Sequence, residues 1–138
     1  MIKVYVKGIF DLIHYGHIRF FQQAKNLGDF LTVGVSPDLR AASMKRVPIF
    51  SSSERAEVLR GLKFIDEVIE DGPKIISREF MEKNGFALYV FGTNNDKERA
   101  KRLKECKDLP NSMIIELPYT KGISTSLMIE KLQKTNFK

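Results

Sequence analysis

The sequence predicts an α/β chain: a single doubly wound domain around a five-stranded parallel sheet, spanning residues 1–138. Three observations lead there. The chain is 138 residues long, enough for one domain with one core. Short apolar, β-branched runs alternate with amphipathic helical segments, and strands separated by helices favour parallel pairing with right-handed crossovers. No repeat, low-complexity tract or Pro/Gly/Ser-rich linker breaks the pattern.

Each element has its own local reason. Ile2–Val6 is a strand. Tyr15–Leu27 carries Ile18, Phe21, Ala24 and Leu27 at helical spacing, and Gly28 is expected to close it as the C′ residue. Phe30–Val35 is a near-continuous apolar run, as expected of a strand covered on both faces. Ser36–Ala42 reads as a short helix and Lys45–Phe50 as a loop. Ser51–Lys63 opens with a capping box between Ser51 and Glu54. Asp66–Ile69 follows as a strand, then Ile76–Asn84 as a helix ended by Asn84-Gly85. Ala87–Phe91 is a strand, Asn95–Cys106 a helix, Met113–Leu117 a strand and Ser124–Gln133 the last helix.

Composition narrows the function. Hydrophobic residues at 43% and charged residues at 29% are globular values, and no apolar stretch approaches a membrane span. The N-terminal segment does not read as a signal peptide, so a cytoplasmic protein without a membrane partner is expected. Cys106 stands alone, which excludes an internal disulfide; it reads as a half-buried thiol near a helix end. The net charge of +6 suits anionic partners, nucleoside triphosphate among them. The Lys97–Lys107 run alternates in sign at helical spacing, which reads as a solvated helix face rather than a nucleic-acid patch.

The chemistry gathers where the first strand ends, in GIFDLIHYGH. Gly8 permits a tight turn and close approach of a ligand, and Asp11 stands at the strand's carboxyl end. His14 and His17 are the only histidines, spaced to share one helix face, with Gly16 removing the side chain between them. The helix start adds unpaired amides and partial positive charge, so the segment reads as an anion site with two imidazole donors. A transition-metal site of His14, His17 and Asp11 is the lesser reading, because a helix N-terminus repels a cation. Near the C-terminus, Lys121-Gly122-Ile123-Ser124-Thr125-Ser126 opens another helix. Ser124 can be an ordinary N-cap, but three successive hydroxyls exceed what capping needs and suit outer phosphates.

These two segments together resemble the cytidylyltransferases that make CDP-choline, CDP-ethanolamine and CDP-glycerol, whose signatures are GxFDxxHxGH and RTEGISTT. The resemblance covers nearly the whole chain, including GDFLTVGVSPD and SSSERAEVLRGLKFIDEVI. It implies a Rossmann-like nucleotidyltransferase fold and transfer of CMP from CTP to a phosphorylated alcohol, with release of pyrophosphate. It implies His14, His17 and Lys45 as catalytic residues. It implies a nucleotide site at Gly8, Ile9, Phe10, Asp11, Gly16, Gly92, Tyr119, Gly122, Ile123, Ser124 and Thr125. Asp11, Asp38, Arg55, Lys63, Asp66 and Asn94 are implied near the acceptor or as support, with Arg55 and Asp66 equally readable as structural ion pairs. Mg²⁺ bound mainly through the triphosphate and a homodimer are implied as well, with no protein metal cage and no nucleic-acid partner. Three positions depart from the family: Tyr119 and Lys63 replace arginines, and Asn94 replaces a carboxylate. With no Trp, and Pro73-Lys74 at a family aromatic position, glycerol 3-phosphate or phosphoethanolamine is favoured over phosphocholine. An adenylyltransferase of the same superfamily and a non-catalytic nucleotide-binding subunit remain alternatives.

Overall fold

The computed structural model describes residues 1–38, 47–93, 95–118 and 123–135. Five parallel strands form one sheet: β1 (Lys3–Gly8), β2 (Phe30–Val35), β3 (Glu67–Glu70), β4 (Phe86–Gly92) and β5 (Ile114–Leu117). Their order across the sheet is β3-β2-β1-β4-β5. The helices between them are α1 (Tyr15–Lys25), α2 (Ser52–Arg60), α3 (Arg78–Asn84) and α4 (Asp96–Glu105), and α5 (Thr125–Lys134) follows the last strand. The fold is the expected doubly wound α/β domain.

Strand burial explains the two helical layers. Successive side chains of β1 alternate between faces. Val4 and Val6 join a core with Phe21 and Ala24 of α1 and Ala56 and Leu59 of α2. Tyr5 joins the opposite core with Met81 of α3, Tyr89, Phe91, Cys106 and Leu109. Cys106 is wholly buried there rather than half-buried. Strand order reverses between β1 and β4, and Gly8 and Gly92 end those two strands. A crevice therefore opens above both glycines.

Most boundaries match the expectations within a residue or two, and the Ser51–Glu54 capping box forms in both directions. Gly28 is different. The helix ends two residues earlier, at Lys25 with Asn26 as its cap, and Gly28 is needed because a Cβ there would press on the Ile2 carbonyl oxygen at 2.6 Å. The expected Ser36–Ala42 helix runs outside the described residues from position 39. No described helix is long and apolar enough to cross a membrane.

Gly34 carries a similar packing constraint, since a Cβ there would collide with the Tyr5 hydroxyl of the adjacent strand. Gly34→Ala is expected to lose about 1–3 kcal/mol in denaturant unfolding. Adding Tyr5→Phe should recover part of that loss.

Candidate functional site

The segment between β1 and α1 is held in an unusual shape. Phe10 and Leu12 have positive φ, 53° and 52°, a conformation that bulky residues rarely adopt. Gly8 makes the fold-back possible, because the Phe10 ring lies where a Gly8 Cβ would be, with Cζ 2.8 Å away. Phe10 then packs edge-on against Phe21 of α1 and near the His17 ring.

The loop is tied to three distant segments. The Asp11 carboxylate accepts from the Ile49 amide at 2.7 Å and the Phe50 amide at 3.1 Å. The Asp11 carbonyl accepts from Thr125 Oγ1 at 2.8 Å. The Ile9 carbonyl accepts from Arg55 Nη1 at 2.7 Å. Arg55, 1% exposed, also donates to the Phe50 carbonyl and to Asp38. Asp11, expected to meet a substrate or orient the site, thus spends both carboxylate oxygens on the loop before α2. Arg55 and Asp38 form an ion pair that braces the site from behind.

His14 and His17 share that scaffold. His14 is the extended N-cap of α1, and its Nδ1 accepts from the Gly16 amide at 3.1 Å. His17 Nδ1 accepts from the His14 amide at 3.2 Å. The pair is a capping box in which imidazoles replace the usual hydroxyl and carboxylate. A neutral ring that accepts at Nδ1 carries its proton on Nε2, so each presents an Nε2–H donor away from the helix. The rings lie 4.0 Å apart between centroids. Gly16 is required, since a Cβ would sit 2.9 Å from His14 Cε1 and 3.1 Å from Ile123 Cγ2. Burial lowers the His14 pKa. Burial first, and then the neighbouring His14, push His17 down to about 4. Both rings are therefore uncharged at pH 7.

They open on a cavity of about 510 Å³ at the switch point, also lined by Gly8, Ile9, Phe10, Asp11, Gly16, Gly92, Ile123, Ser124 and Thr125. The start of α5 thus faces the start of α1. Ser124 Oγ accepts from the Leu127 amide, the ordinary capping role. Lys63 and Asp66 are not brought to this cavity. Asp66 accepts from Lys25 and the Leu31 amide at the amino edge of the sheet, and Lys63 lies exposed over Phe64 just before it. Lys45, Asn94, Tyr119 and Gly122 lie outside the described residues.

Sequence reasoning missed one wall. Lys97, Glu98, Lys101 and Arg102 of α4, with Lys7 of β1, line the same cavity. The run expected as a solvated face presents one side to the site. Its spacing was visible; its orientation depends on packing against β4. Among the described residues no group of three His, Cys, Asp or Glu side chains could hold a metal ion.

A cytidylyltransferase-like family profile matches residues 5–131. The chain is 30% identical to a probable ethanolamine-phosphate cytidylyltransferase of Encephalitozoon cuniculi over 97% of its length, but spans only 42% of that protein. It is 37% identical to an FAD synthase of Thermococcus sibiricus, covering 97% of this chain and 94% of that one. Among solved structures, a lipopolysaccharide core biosynthesis protein from Thermoplasma volcanium superposes with a TM-score of 0.72 at 26% identity, covering 88% of this chain and 99% of the other.

The histidine assignment has a pH signature. The unfolded chain binds a proton at His17 near the ordinary value of 6.5, and the folded one near 4. The stability this group contributes is complete above about pH 6.5 and is lost as pH falls toward 4. Thermal melts from pH 7 to 4 should show that slope, and His17→Asn, which keeps a δ-position acceptor, should flatten it.

Proposed function

The chain belongs to the cytidylyltransferase-like family of nucleotidyltransferases, and we propose that it transfers CMP from CTP to a small phosphorylated alcohol. The observation that carries the reading is the pair of imidazoles, 4.0 Å apart, facing an open cavity between two helix starts.

In the proposed reaction a phosphate oxygen of the acceptor attacks the α-phosphorus of the nucleotide. A new P–O bond forms and the bond to the bridging oxygen breaks. Pyrophosphate leaves with that electron pair. A dianionic acceptor phosphate has no proton to give up, so positioning and charge stabilisation supply the catalysis. Nε2–H of His14 and His17 would donate to the α-phosphate and the departing oxygen as charge builds there. The α5 start, with Ser124 and Thr125, would hold the outer phosphates. Lys45 is proposed as the cation on the leaving group, and Tyr119 and Gly122 as its neighbours along the nucleotide. Mg²⁺ is proposed to enter on the triphosphate, where it neutralises phosphate charge.

A second reading rests on the FAD synthases, which match this chain over almost their whole length. On that reading ATP is the nucleotide donor. Pyrophosphate release, measured with CTP or ATP, Mg²⁺ and phosphoethanolamine, glycerol 3-phosphate or flavin mononucleotide, separates the two. His14→Ala and His17→Ala are each expected to lower kcat about 10²–10³-fold. Silence with every nucleotide, alongside nucleotide-induced thermal stabilisation, would replace both with a binding subunit.

We also propose the family's homodimer. Val47, Ile49, Phe50 and Val58 are exposed apolar side chains beside the loop that Asp11 clamps. Light scattering should give twice the chain mass, and Val58→Glu should halve it.

A further inference from the structure

The cavity has two chemically different ends. His14, His17 and the α5 start belong to the sheet face covered by α1, with Phe10 and Phe21 beneath them. Lys7 lies on β1 two residues after Tyr5, so its side chain projects to the other face, where α4 packs. There Lys7 Nζ donates to Glu105 Oε1 at 3.0 Å and to the Lys74 carbonyl at 2.7 Å. Arg102 Nη1 donates to the same Glu105 oxygen at 3.3 Å.

The side chains of Lys7, Arg102 and Glu105 are 5%, 16% and 6% exposed. Lys7 and Arg102 thus both donate to one carboxylate at the foot of this wall. Lys97 and Lys101, a helical turn apart, add two cations to the same wall, and Glu98 adds one anion. Among the described residues the wall carries a net positive charge of about two, focused into a concave, partly apolar space. A triphosphate held at the helix starts and the histidines occupies the opposite face, and the acceptor's reacting phosphate must reach that same α-phosphorus. The α4 wall is left to meet the rest of the acceptor.

We propose that the acceptor carries a second anionic group, a carboxylate, phosphonate or further phosphate, recognised by Lys101 and Arg102. This rests on the transferase reading and selects within it a polyanionic acceptor over an aminoalcohol or simple polyol phosphate. An ammonium group would meet like charge on this wall, and a hydroxyl would bring it no opposite charge.

The test pairs two probes of nearly equal size. Glycerol 3-phosphate has one anionic group; 3-phosphoglycerate has two. With saturating CTP or ATP and Mg²⁺, 3-phosphoglycerate is expected to raise the melting temperature at about tenfold lower concentration than glycerol 3-phosphate or phosphoethanolamine. Arg102→Gln, and separately the exposed Lys101→Glu, should reduce that preference to about twofold or less while nucleotide titrations stay unchanged. Equal or better stabilisation by the mono-anionic probes, by flavin mononucleotide, or by none of them overturns the proposal. Equal losses for every probe in both variants also overturn it, because the wall would then be holding only the reacting phosphate. Failure of all nucleotides to bind or release pyrophosphate would instead count against the transferase reading itself.

Discussion

The clamp on the β1–α1 loop is the interaction on which the rest of the site depends. Within three residues the loop accepts from Arg55 at the Ile9 carbonyl, from the Ile49 and Phe50 amides at the Asp11 carboxylate, and from Thr125 at the Asp11 carbonyl. Two bulky residues in this stretch sit at positive φ. Such conformations cost on the order of 1–3 kcal/mol each and persist only where surrounding contacts over-determine them. Thr125 lies 114 positions from Asp11 along the chain, so the hydroxyl bond brings the last helix to the first strand's loop. The positions of both imidazoles follow, because His14 caps the helix that this loop feeds.

That arrangement also decides the charge of the histidines. Two imidazolium rings at this separation would repel, and both rings are partly withdrawn from water. Both rings are oriented by backbone amides at Nδ1, which turns their Nε2 atoms away from the helix. Positive potential comes instead from the starts of α1 and α5. Fixed cations stand at the other end of the cavity, on β1 and α4.

Much of this was legible in the residue order. Strand and helix alternation gave the doubly wound sheet. Gly8, Gly16 and the His pair marked the site because their spacing at one strand-to-helix junction is local information. Other features were not legible, and for identifiable reasons. Asp11 lines the cavity, and its carboxylate also accepts from the amides of Ile49 and Phe50, a pairing that spacing does not encode. Gly28 matched a helix-ending pattern, but its requirement is the nearby Ile2 carbonyl. The α4 charges alternate as a solvated face would, and only packing against β4 turns Lys97, Lys101 and Arg102 toward the cavity.

By itself the sequence determined the elements, their parallel pairing and the meeting of His14 and His17 at one strand-to-helix junction, because hydrophobic periodicity and short-range motifs act within a few residues. The tertiary structure decided which charges face the cavity. Lys7 and Glu105 are 98 positions apart, yet share a hydrogen bond at 3.0 Å. Strand order brings β1 beside β4, and α4 against them closes the wall. The potential inside a cavity is set by distances through space, which chain spacing does not specify.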